Sequence, residues 1–194
     1  IDPFSTLRHF SSDFSSIVTD AQDHMPITDY ELLTNNLDIV KHYLQRFKEL
    51  DLSHECLPLQ LCHIDIHPHN VLFSGDYLQA ILDVESLQFS HFESSFAFSA
   101  FKLLKQYSVY NKFKISDARE IILGTQDFIN SFDKSFCFEY KTLSDLKKFA
   151  SFELLRRIFI IIDLNIQHSN YRWNSVLPLH LSGLHEICII FGDL

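Results

Sequence analysis

The sequence predicts an α-rich α+β fold in which a run of helices surrounds one small β-hairpin at the active edge. Apolar residues recur at helical steps of three and four over most of the chain. Only residues 59–82 combine short extended apolar runs with turn residues. Nineteen phenylalanines stand beside only four glycines, a composition suited to helix packing with few tight turns. At 194 residues, 46% of them hydrophobic, one domain with a real core is the default.

The elements are expected in the following order. Residues 1–28 read as a loosely ordered lead-in and connector with one short helix, and residues 29–194 as the main body. Thr28-Asp29-Tyr30-Glu31 has the form of a capping box. Behind it, Leu33, Leu37, Val40, Leu44 and Phe47 mark one face of a single amphipathic helix ending near Leu50. Residues 51–58 connect to a short strand, Leu59 to Cys62. Pro68 and His69 force a loop, and Val71-Leu72-Phe73 resumes an extended course. Ser74-Gly75-Asp76 is a turn, and Tyr77 to Leu82 a returning strand. That hairpin holds Asn70 and Asp83 at its open end. From Phe92 the pattern is helical. One face carries Phe92, Phe96, Ala100, Leu103 and Tyr107. A second helix carries Ile121, Ile122, Phe128, Ile129 and Phe132. A third, longer one runs from Leu143 through Ala150 and Ile158 to Asn165, and a last one from Leu177 to Phe191.

Charge and cysteine usage narrow the function classes. The net charge of −9 argues against a nucleic-acid groove or an anionic membrane surface as partner. Cys56, Cys62, Cys137 and Cys188 form neither a CxxC pair nor a zinc spacing, which fits a reduced, cytoplasmic protein. The longest apolar run, Ile158 to Ile162, is far shorter than the roughly 20 residues that span a bilayer.

The chemistry concentrates in two stretches. Leu61 to Phe73 packs His63, Asp65, His67 and Asn70 between apolar runs, and Leu82-Asp83-Val84-Glu85 follows. Asp65 and Asn70 are 70 − 65 = 5 residues apart, and Asp65 and Asp83 are 83 − 65 = 18 apart. In an extended segment His63, Asp65 and His67 share one face, which admits a metal site. Pro68, the Asn70-Val71-Leu72-Phe73 continuation and the distance to Asp83 favour a catalytic loop with a base and two magnesium ligands.

These residues resemble the aminoglycoside phosphotransferase and choline kinase-like superfamily. Its pattern reads His-Gly-Asp-x-His-x-x-Asn-Val-Leu and then Ile-Asp-Phe-Glu. Here it stands as His63-Ile64-Asp65-Ile66-His67-Pro68-His69-Asn70-Val71-Leu72 and Leu82-Asp83-Val84-Glu85. The resemblance implies the C-terminal lobe of a protein kinase-like fold that transfers the γ-phosphate of ATP to a small-molecule hydroxyl. It implies that Asp65 orients or deprotonates the acceptor, that Asn70 and Asp83 hold Mg²⁺ on the nucleotide phosphates, and that His63 braces the loop.

The chain also departs from that pattern. Ile64 replaces the glycine after the first histidine, and Val84 replaces the aromatic after the second acid. The family's Asp-Leu-Ala triplet, which ties down the loop, is best matched by Ser95-Phe96-Ala97, with Glu93 as a substitute acid. Glycines at 75, 124, 183 and 192 form no phosphate-covering loop, so the N-terminal nucleotide lobe is expected to be absent and the isolated chain inactive. The lobe's exposed face should then favour pairing with that lobe or self-association. A non-catalytic binding or scaffold domain, and a metal-dependent hydrolase, stay open as alternatives. Arg156 and Arg157 read as a solvated face or an internal ion pair, and Cys62 as an inert buried thiol.

Overall fold

A computed structural model of the chain describes residues 3–49, 59–110 and 143–192. In chain order the elements are α1 (Pro3–His24), α2 (Ile27–Asn35), α3 (Leu37–Glu49), β1 (Leu59–His63), β2 (Val71–Ser74), β3 (Tyr77–Ile81), β4 (Leu87–His91), α4 (Phe92–Tyr110), α5 (Leu143–His168) and α6 (Leu177–Phe191). The described residues form a helix-rich fold with two small antiparallel sheets, in keeping with an α-rich α+β class. The chain divides into two compact units, one of residues up to 57 with 151–185, the other of 58–150 with 186–194. The helix expected around Ile121 to Phe132 lies outside the described residues.

In the first unit, α1 is a long helix where the sequence suggests a loosely ordered lead-in. Its apolar residues Phe4, Leu7, Phe10 and Ala21 are buried at helical spacing, as is Met25 just beyond its end. Phe10 stacks on Phe159 with ring centroids 4.5 Å apart, and Phe4 meets Phe47 and the edge of Phe152. The serines and acids between these positions are mostly solvated, which dilutes the apolar signal. The helix kinks at Asp13 (φ −118°, ψ 22°), where Ser12 Oγ donates to the His9 carbonyl and to the Asp13 carboxylate. Such short polar side chains compete locally with the helix ladder.

The single helix expected from Thr28 to Leu50 is two helices, broken at Asn36 (φ −113°, ψ 10°). The Asn36 side chain donates to the Leu32 carbonyl, and its backbone N–H donates to Leu33. His185 holds the same side chain through Nε2, 2.9 Å from Oδ1. The asparagine thus satisfies the carbonyls of a helix end. No side chain caps α2 at its start, so the capping box is absent. Thr28 lies inside the helix, and Asp29 accepts from Asn174 Nδ2 at 2.7 Å. The expected apolar face survives the break, with Leu33, Val40, Leu44 and Phe47 all buried.

α5 carries the expected buried positions Leu146, Ala150, Leu154, Ile158, Ile161 and Asn165, and also Phe149, Phe152, Leu155, Phe159 and Ile162. A helix buried over most of its circumference belongs to the interior of a core. Within it, Glu153 is only 4% exposed and takes both arginines. Arg156 binds it through Nε at 2.8 Å and Nη2 at 2.6 Å, and Arg157 through Nε at 2.8 Å. Arg156 and Arg157 are therefore partners in an internal ion pair.

In the second unit, β2 and β3 form the expected hairpin, with Val71 opposite Ile81 and a register shift between Leu72 and Phe73. Gly75 turns it at φ 59°, a left-handed conformation that glycine adopts freely. A second sheet, absent from the sequence reading, pairs β1 with β4 from Leu59↔His91 to His63↔Leu87. It brings the segment after Asp83 back alongside the strand that leads into the loop. α4 follows directly, and residues 93–101 are buried on every side rather than along one stripe.

Candidate active site

β1 delivers His63 to the loop, and both ring nitrogens are engaged. Nε2 lies 2.8 Å from the Leu82 carbonyl oxygen, and Nδ1 accepts the Asp65 backbone N–H at 3.3 Å. The pair of contacts fixes the tautomer, with the hydrogen on Nε2 donated to Leu82. The Ile64 N–H donates to the Ser86 carbonyl at 3.0 Å.

Asp65 is held from several directions. Oδ1 accepts from Lys102 Nζ at 2.8 Å, and Oδ2 lies 3.5 Å from His67 Nε2. Asn70 Nδ2 donates to the Asp65 backbone carbonyl at 2.9 Å and so closes the loop across its five-residue span. Pro68–Asn70 form a single turn of 3₁₀ helix, capped by His67, whose Nδ1 accepts the His69 N–H. Burial and the nearby Lys102 charge hold the His67 pKa below its ordinary value, although Asp65 and Asp83 pull the other way. The imidazole is thus kept neutral, with its Nε2–H turned toward Asp65.

Asp83 sits at the open end of the β2–β3 hairpin. The Asn70 carbonyl accepts the Leu82 N–H at 2.8 Å, which sets the loop against the residue before Asp83. Asp83 itself is left-handed (φ 58°, ψ 51°), and its Oδ2 accepts from Ser86 Oγ at 2.6 Å. It is exposed, yet its charge reaches His67.

One residue of the site, Lys102, was not legible in the sequence. Lys102 comes from α4, its Nζ over the Phe98 ring and 5.3 Å from the centroid. Ser95 does the tying that was sought from an acid, its Oγ donating to the His63 carbonyl at 2.9 Å. A donor is what that carbonyl needs, and a carboxylate could not supply one. Glu93 is buried, and burial, with the Glu93 charge, pushes the Cys62 thiol up. A thiol so placed is a poor nucleophile. The alternation of His63, Asp65 and His67 does not produce a three-ligand metal cluster. His63 binds backbone groups, and among the described residues no group of three or more His, Cys, Asp or Glu could hold a metal ion.

The comparisons with known proteins bear on this same stretch. Residues 13–100 match the model of the phosphotransferase enzyme family. The matched segment, just under half of the 194 residues, runs from the kink of α1 into α4 and contains the whole loop and hairpin. It supports the aminoglycoside phosphotransferase and choline kinase-like superfamily, and with it a phosphotransferase type of domain. No curated protein and no solved structure matches the chain. Among the described residues, no helix is long and apolar enough to cross a membrane.

Proposed function

We propose that the chain is the catalytic and acceptor-binding lobe of an ATP-dependent small-molecule phosphotransferase with a protein kinase-like fold. The observation that carries this reading is the fixed Asp65 carboxylate, in a loop closed by Asn70 and tied through His63 to the residue before Asp83. Phosphoryl transfer asks for positioning and charge neutralisation more than for covalent chemistry. Asp65 orients the acceptor hydroxyl and takes its proton, and His63 holds the loop in register.

The donor set fits Mg²⁺. Asn70 offers Oδ1, because its Nδ2 is engaged with the Asp65 carbonyl, and Asp83 offers a carboxylate at an exposed position. Two hard oxygen ligands suit a cation that draws its other ligands from phosphate and water. Magnesium, when bound, would neutralise charge on the nucleotide phosphates. The acceptor class is open among amino alcohols, aminoglycosides, sugars and amino acids. Phe73, Tyr77 and Leu78 are 63%, 76% and 53% exposed on the hairpin, which fits a face that a nucleotide-binding lobe would cover.

A phosphorylation screen of the full-length protein against those acceptors tests the reading. Turnover with one class is expected, falling at least ~100-fold in Asp65→Asn, the lower end of what a general base contributes. Absence of nucleotide binding and of turnover would leave a non-catalytic binding domain.

A further inference from the structure

The Asp65–Lys102 contact places a cation where the proposed reaction would put a phosphoryl group. The distances constrain this closely. An acceptor oxygen that gives its proton to Asp65 must lie about 2.6–3.2 Å from the carboxylate. The phosphorus it attacks must lie about 3–3.5 Å further on. Lys102 Nζ already lies 2.8 Å from Asp65 Oδ1. A phosphoryl group in line for transfer is therefore within reach of a four-carbon stem whose side chain is 28% exposed.

The surrounding charges point the same way. Asp65 and Asp83 are both acidic, and both act on His67, where Lys102 is the opposing lysine. A phosphate entering this end of the hairpin meets two carboxylates, and Lys102 is an ammonium already in contact with one of them. The acceptor hydroxyl, moreover, competes with Lys102 for Oδ1.

We propose that Lys102 is a phosphate-binding residue that rests on Asp65 and passes to the transferred phosphoryl group during the reaction. This inference rests on the phosphotransferase reading above. In the step, the acceptor O–H bond breaks and its proton goes to Asp65. The acceptor oxygen forms the new O–P bond, and the bond from the γ-phosphorus to the bridging oxygen breaks, its electron pair leaving on ADP. Protonation removes the charge that held Lys102 on the carboxylate. The ammonium then binds the phosphoryl oxygens, where it strengthens as charge moves to them. Lys102 remains covalently unchanged throughout. It both aims Asp65 before substrate arrives and stabilises the group in flight.

The test compares MgATP with MgADP binding to full-length protein, by calorimetry, in wild type, Lys102→Met and Lys102→Arg. A contact to the γ-phosphate predicts that wild type prefers ATP over ADP. Lys102→Met should reduce that preference roughly tenfold or more, the scale of a charge-assisted hydrogen bond, while ADP affinity changes less than about twofold. Lys102→Arg, which keeps the charge, should retain most of the preference and guards against misfolding of the methionine variant. Turnover should fall in kcat rather than in the KM for the acceptor. An unchanged ATP-to-ADP ratio in Lys102→Met, or equal loss of both nucleotides, overturns this inference and leaves the phosphotransferase reading standing. Failure of wild type to bind either nucleotide overturns both.

Discussion

The imidazole of His63 donates across 2.8 Å to the carbonyl oxygen of Leu82, joining the residue two before Asp65 to the residue before Asp83. One side chain thus fixes the spacing of two acids that are 18 positions apart in sequence (83 − 65). His63→Phe fills much of the same volume without either bond. Its kcat is expected to fall roughly 10- to 100-fold, the scale of a small misplacement of reacting groups, with far-ultraviolet circular dichroism unchanged. Steady-state kinetics on the full-length protein checks this, and wild-type kcat in His63→Phe would show that the brace is dispensable.

His67 should titrate below an ordinary histidine. Burial and the Lys102 charge both depress it, so Lys102→Met, which removes that positive neighbour, should move the midpoint upward. Ring resonances followed by nuclear magnetic resonance against pH give both values. The folded state prefers the neutral ring. The stability it contributes is therefore present above the ordinary value, about 6.5, and is lost as pH falls through the folded value. Urea midpoints between pH 7.5 and 5.5 should fall less steeply in His67→Gln than in wild type.

Ser95→Ala removes the donor to the His63 carbonyl and should cost about 1 kcal/mol. Ser95→Asp is expected to be worse, because a carboxylate facing a carbonyl adds repulsion without a hydrogen. Chemical denaturation of the three proteins ranks them. An aspartate variant as stable as wild type would mean that the loop accepts the acid by turning over its backbone.

The hairpin and loop were legible because each depends on local chemistry: Pro68 and Gly75 break the chain, and the apolar runs around them are short. The helix break at Asn36 was not. Leu33, Leu37, Val40 and Leu44 keep helical period straight through it, and only a side-chain bond to Leu32 and a contact from His185 reveal the end. β4 escaped because its partner β1 begins 28 residues earlier in the chain (87 − 59), and nothing local in Leu87–His91 announces the pairing. Lys102 escaped for a like reason. It meets Asp65 from 37 positions away, through the packing of α4 rather than any spacing rule. α1 was hidden by composition, since Phe4, Leu7 and Phe10 have helical spacing but stand among serines and acids.

Glu153 carries the largest stability prediction. Burial would push its pKa up, but the charges and hydrogen bonds of Arg156 and Arg157 outweigh this and hold it below its ordinary value. Glu153→Gln leaves two half-buried guanidiniums without the anion they share and should cost about 3 kcal/mol. The wild-type contribution is present above the ordinary carboxylate value and lost as pH falls through the lower folded one. Denaturation at pH 7 and pH 3 should therefore show the gap between wild type and Glu153→Gln narrowing in acid.

The left-handed backbone of Asp83 changes how relatives of this chain should be compared. At φ 58° the position admits Gly, Asn and Asp far more readily than other residues, whatever chemistry the site performs. A descendant that had lost all turnover would still be pressed by its main chain to keep an aspartate or asparagine there. Retention of an acid at 83 is thus weak testimony to a working enzyme. Asp65 is under no such compulsion, since it is not among the described residues with positive φ. On the roles proposed above, its fate and that of Lys102 are the better markers of retained turnover.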